Sequence, residues 1–156
     1  MKKKYLIISI IIFVLVLIDQ LIKSYIVSHF ELNGSLIIIK DFLKFTYIRN
    51  NGISFGILSN QQLLIIIFTF IIILYIIKEL IGNLKDKLFI SSCILILSGA
   101  FGNLIDRIFR GYVIDFISFT LINREMAIFN IADILISFGV LLYIYIIFKK
   151  GLKWKN

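Results

Sequence analysis

The sequence predicts an α-helical integral membrane protein, with four transmembrane helices and a small extracytoplasmic β-rich element between helices one and two. Two observations point there. Of its 156 residues 60% are hydrophobic and none is proline, and the mean hydropathy is +1.02. A soluble domain of this size has no interior large enough for so much apolar surface, whereas a bundle facing lipid leaves it outside. The apolar residues also fall into four runs, each long enough as a helix to cross a hydrocarbon core of about 30 Å.

Lys2, Lys3 and Lys4 precede an apolar run from Tyr5 to Ile18, a pattern shared with secretory signal peptides. No small-residue cleavage pattern follows. Asp19 and Lys23 arrive at helical spacing and the apolar character continues to Val27, so the reading is an uncleaved first helix over about 5–27. Between about 28 and 62 the character changes. Asn33-Gly34 and Asn51-Gly52 are turn signals, while Leu36 to Ile39 and Phe42 to Ile48 have strand composition. A second helix is expected over about 63–80 and a third over about 88–106, joined by a short link containing Gly82-Asn83. A loop over about 107–126 then leads to a fourth helix over about 127–148. No repeat or linker divides the chain, which reads as a single membrane domain over 1–156.

Seventeen Lys and Arg against nine Asp and Glu give a formal charge of +8. In a soluble chain this would suggest nucleic acid, but here the basic residues border apolar runs, as orientation and anionic-lipid signals do. Lysines gather at the amino terminus, at the 78–87 link and at the carboxyl terminus, without arginine. That puts both termini on the cytoplasmic side and both longer connections outside. A lone cysteine, Cys93, and a lone histidine, His29, provide neither a disulfide nor a histidine-based metal site. No metal or organic cofactor is expected.

This orientation gathers the acidic residues. Asp19 lies about 21 Å along helix one, Asp106 about 27 Å along helix three and Asp133 about 9 Å into helix four from its outer start. All three sit near the outer boundary, with Asp115 just beyond it. Ionisable groups at membrane depth cost roughly 2.5–3.5 kcal/mol each on insertion scales and mark function by default. Each has a plainer reading. Asp19 and Lys23, four residues apart, can form an intrahelical ion pair. Arg107 can anchor in headgroups, and Gly99 and Gly102 with Ser98 can let a neighbouring helix approach.

Asp115 and Asp133 fit the plainer readings least well. In Phe129-Asn130-Ile131-Ala132-Asp133, Asn130 and Asp133 share one helical face near a helix start, where the dipole favours an anion. Two carboxylates brought close do not both ionise readily, so one keeps a proton while the other lacks it. Such a pair can activate a water against an amide and protonate the carbonyl oxygen.

Five segments in this order resemble the lipoprotein signal peptidase (signal peptidase II) family. They are Asp19-Gln20-Leu21-Ile22-Lys23 for its DxxxK, Asn50 to Gly56 for NxGxxFG, Gly99 to Arg107 for GxxGNxxDR, Val113-Ile114-Asp115-Phe116, and Phe129 to Asp133 for FNxAD. The resemblance covers nearly the whole chain. It implies an aspartic endopeptidase of the bacterial cytoplasmic membrane, which removes signal peptides from prolipoproteins by cutting before a diacylglyceryl-modified cysteine. It also implies that Asp115 and Asp133 are the catalytic pair. Asn50, Gly52, Asn103, Asp106, Arg107 and Asn130 would form a supporting shell, with Asp19 and Lys23 fixing the outer end of helix one. Substrate and membrane lipids are then the partners, and a site between the helices of one chain needs no second copy. A small transporter or proton channel is the rival reading, but it calls for acids spread through the membrane depth. Here the inner halves of the helices are almost purely apolar.

Overall fold

The computed structural model describes residues 2–52, 61–122 and 124–152. Four helices, α1 (Lys2–His29), α2 (Gln62–Gly82), α3 (Lys87–Phe109) and α4 (Ile131–Leu152), are each long and apolar enough to cross a membrane. Four strands, β1 (Ser35–Ile39), β2 (Leu43–Asn50), β3 (Val113–Leu121) and β4 (Arg124–Glu125), form one antiparallel sheet in the order β1-β2-β3-β4.

The central helix is α3. Most of its surface is buried, whereas α1, α2 and α4 turn much of theirs outward, as helices surrounded by lipid can. Its small residues permit this. A Cβ on Gly99 would stand 2.2 Å from the carbonyl oxygen of Ala132 in α4, and one on Gly102 would stand 2.6 Å from Asp19 Oδ2 in α1. Both glycines therefore let a neighbour come closer than any side chain would allow. Deeper along the same face Ser92 Oγ donates to the Gly139 carbonyl at 2.9 Å, tying α3 to α4. An apolar core that includes Ile73, Phe89, Cys93 and Leu97 fills the bundle. Asp86 begins α3, its carboxylate accepting the Phe89 N–H at 3.2 Å.

Two expectations change. The connection over 107–126 is not a loop, because it supplies β3, which pairs with β2 along Leu43–Asn50. The sheet is thus built from the connection between α3 and α4 as well as from the one between α1 and α2. Its second half was hidden because Val113 to Ser118 is buried on both faces, which removes the alternation that marks a half-buried strand. Helix four starts at Ile131, not near 127. Phe129 exchanges hydrogen bonds with Ile117, at 2.8 and 3.0 Å, so the sheet takes up backbone that the apolar pattern had assigned to the helix. A second cluster, Ile26, Tyr47, Ile114, Phe116 and Ile117, packs the sheet on the end of α1.

Candidate active site

The two aspartates arrive from different elements, Asp115 from β3 and Asp133 from the first turn of α4. Asn130 and Asp133 form a reciprocal cap on that helix. Asp133 N–H donates to Asn130 Oδ1 at 3.0 Å, and Asn130 N–H donates to Asp133 Oδ2 at 3.2 Å, the hydrogen-bond pattern of a capping box. The Asn130 amide then reaches across to Asp115 Oδ1 at 2.6 Å. One asparagine therefore contacts both acids.

Asp115 is buried. Besides Asn130, Asn50 Nδ2 on β2 donates to its Oδ2 at 2.7 Å. Burial, followed by the negative charge of Asp133, pushes the Asp115 carboxyl up to about 7, against the opposing pull of the two amides and of Lys23. A carboxyl at that level shares its proton near neutrality.

Asn103 links this pair to a second group of charges. Its Nδ2 donates to Asp133 Oδ1 at 2.8 Å, while its Oδ1 accepts from Asn130 Nδ2 at 3.2 Å and from Lys23 Nζ at 3.0 Å. Lys23 is fully buried and lies 2.9 Å from Asp19 Oδ2 and 2.9 Å from Asp106 Oδ2. Its three N–H bonds thus have three acceptors. The pair four residues apart on α1 does form, but as part of a buried three-helix junction and not as an isolated interfacial pair.

Arg107 is no headgroup anchor. It is 9% exposed, and its Nη2 donates to the Gly52 carbonyl at 3.1 Å. Gly52 N–H in turn donates to Asn50 Oδ1 at 2.9 Å, so the Asn51-Gly52 turn is fastened to the site from both sides. The remainder of that motif, Ile53 to Gly56, lies outside the described residues.

All ten residues singled out in the sequence meet in this network. Two further participants were missed. Gln20 Nε2 donates to the Gly102 carbonyl and to Asp106 Oδ1, both at 3.1 Å, and Arg110 donates to Gln20 Oε1 at 2.8 Å while pairing with Asp106. The signal for Arg110 was present in its spacing, four residues after Asp106 on one helical turn.

The acids face a cavity of about 1140 Å³ between α2, α3, α4 and the sheet. Asn103, Arg107, Asp115 and Asp133 make its polar end, and Ile65, Ile72, Ile96 and Ile136 line an apolar remainder. A polar end joined to an apolar chamber suits an amphiphilic substrate with a reacting bond at one end.

The model of the family described as Signal peptidase (SPase) II matches residues 11–149. This chain belongs to the signal peptidase II family. It is 41% identical over 145 residues to the lipoprotein signal peptidase of Clostridium tetani (strain Massachusetts / E88), covering 91% of this chain and 93% of that protein. It is 36% identical to that of Streptococcus pneumoniae (strain ATCC BAA-255 / R6) over 149 residues, 95% and 96% of the two chains. Among solved structures it is similar to a bacterial membrane enzyme determined by the in meso method at 2.3 Å resolution, with a TM-score of 0.87, 33% identity, and 92% and 88% of the two chains covered. A second such enzyme, at 1.9 Å resolution, gives a TM-score of 0.78 with 34% identity, covering 90% and 91%. Signal peptidase II membership makes the chain a multi-pass membrane peptidase, and its buried polar network is the natural place to seek the chemistry.

Proposed function

We propose that the protein is an aspartic endopeptidase that removes signal peptides from prolipoproteins, cutting before a diacylglyceryl-modified cysteine, with Asp115 and Asp133 as the catalytic pair. The observation that carries this reading is the contact of Asn130 with both carboxylates at the polar end of the cavity. Family membership supplies the reaction class.

Asp115 holds the shared proton and Asp133 acts as base. Asp133 takes a proton from a water whose oxygen bonds to the scissile carbonyl carbon, while Asp115 gives its proton to the carbonyl oxygen. In the tetrahedral intermediate, Asp133 passes the proton it gained to the amide nitrogen. The C–N bond breaks, the remaining hydroxyl proton returns to Asp115, and an acid and an amine leave. The Asn50 and Asn130 amides fix Asp115 in orientation, and Asn103 fixes Asp133, so little reorganisation is left to the reacting step.

The lysine distribution supports cytoplasmic termini and a site near the outer leaflet. At that depth the apolar chamber suits acyl chains and the signal helix, reached sideways between helices, and one chain suffices for the site. Labelling of Asn33→Cys in sealed vesicles checks the topology, because protection from an impermeant outside reagent would contradict it. The activity is tested with purified protein and a synthetic prolipoprotein segment, with and without diacylglyceryl on its cysteine, scored by mass spectrometry. The reading predicts a cut directly before the lipidated cysteine and little or none without the lipid. An intact lipidated substrate in the presence of folded protein would overturn it.

A further inference from the structure

Asp19 and Asp106 do the same thing at two places. Asp19 Oδ1 accepts the backbone N–H of Ala132 at 3.0 Å, and Asp106 Oδ2 accepts that of Ile114 at 3.2 Å. Ala132 directly precedes Asp133 and Ile114 directly precedes Asp115. Each acid of the proposed pair is therefore held through its neighbour's amide by a buried carboxylate from another element, and Lys23 joins those two carboxylates at 2.9 Å each. Arg110 pairs with the other oxygen of Asp106, and Gln20 lies between them, donating to Asp106 and accepting from Arg110. Two acids and two bases leave this group with no formal net charge.

We propose that Asp19, Lys23, Asp106 and Arg110, bridged by Gln20, form a charge-balanced clamp that sets the separation of Asp115 and Asp133, with Arg110 and Gln20 as positioning residues. The proposal rests on the catalytic reading above. A buried carboxylate holding a backbone amide is worth more than a packing contact, because its charge-assisted hydrogen bond fixes direction as well as distance. Charge balance is required as well. Without Arg110, two carboxylates would share the single ammonium of Lys23 behind a reacting pair that already repels a second negative charge.

Arg110 is the residue to change first, since it is partly exposed and touches neither Asp115 nor Asp133 in this structure. The nearest charges acting on Asp115 are Asp133 of α4, Lys23 of α1 and Arg107 of α3; all remain in Arg110→Leu, so any shift reports the more distant charge balance around Asp106. Misplacement of a catalytic group by about 1 Å can cost on the order of 100-fold in rate. Arg110→Leu is therefore expected to lower kcat by about 10- to 100-fold with KM within about twofold. The uncompensated negative charge should also move the alkaline limb of the kcat–pH profile to higher pH. Arg110→Lys restores most of kcat and the position of the limb, and Asp106→Asn, if it folds, moves the limb the opposite way.

The measurement is kcat, KM and the pH profile of the full chain in detergent-lipid micelles with the diacylglyceryl-modified segment, alongside Asp115→Asn. An Arg110→Leu enzyme with wild-type kcat and an unmoved limb overturns the clamp. So does a loss of thermal stability alone, with the turnover of the folded fraction intact. An Asp115→Asn enzyme that still cleaves overturns the catalytic reading instead, so the two failures are distinguishable.

Discussion

Asp106 at the end of α3 accepts the backbone N–H of Ile114 at 3.2 Å, so a helix carboxylate fixes the strand position immediately before Asp115. The strand cannot slide past the helix without breaking a buried, charge-assisted bond.

Lys23→Met should be severely destabilising. Its ammonium is fully buried between Asp19 and Asp106, and removing one partner of a buried ion pair costs about 3–5 kcal/mol because a charge is left uncompensated. Adding Asp19→Asn should recover part of the loss, since Asp106 still has Arg110. Unfolding titrations in mixed micelles would show the double variant more stable than the single one; equal or lower stability contradicts the charge argument.

Gly99→Ala should damage both stability and turnover. The added Cβ would stand 2.2 Å from the Ala132 carbonyl oxygen, a backbone atom that cannot rotate away. The start of α4 must shift, and with it Asp133, at a cost of roughly 1–3 kcal/mol typical of overpacking. Melting temperature and kcat measured on the same preparation check this. A variant with both unchanged would mean that α3 and α4 are less tightly apposed than described.

Turnover should fall as pH rises through about 7, where Asp115 loses the proton it must donate. The stability sign is separate. The native-state carboxyl titrates above its ordinary value of 3.8, so between about 4 and 7 the unfolded chain releases a proton that the native state keeps. Stability contributed by this group therefore declines across that window and levels off above it. A kcat profile that is flat from pH 6 to 9 would remove Asp115 from the role of acid.

Much of this was visible in the sequence, for physical reasons that differ by residue. Asp19, Lys23 and Asp106 stood out because charges within apolar helices are costly. Asn130 and Asp133 stood out because their spacing fits a helix start. Gln20 was hidden by its ordinary polarity beside a more conspicuous acid. The roles of the Ala132 and Ile114 amides lie in backbone geometry, which no side-chain pattern encodes. The strand Val113–Leu121 was missed because burial on both faces removes the alternation that identifies a half-buried strand. Where α4 begins was likewise set by the pairing of Phe129 with Ile117, a long-range event outside any local window.

The role of the catalytic pair is tested by Asp115→Asn and Asp133→Asn, each purified and supplied with the diacylglyceryl-modified segment. Both replacements keep size and polarity while removing the proton-transfer function. The account predicts that each variant folds and inserts as the wild type does yet loses cleavage by at least about 1000-fold, within the range attributed to acid-base catalysis. Near-normal turnover in either one would contradict it.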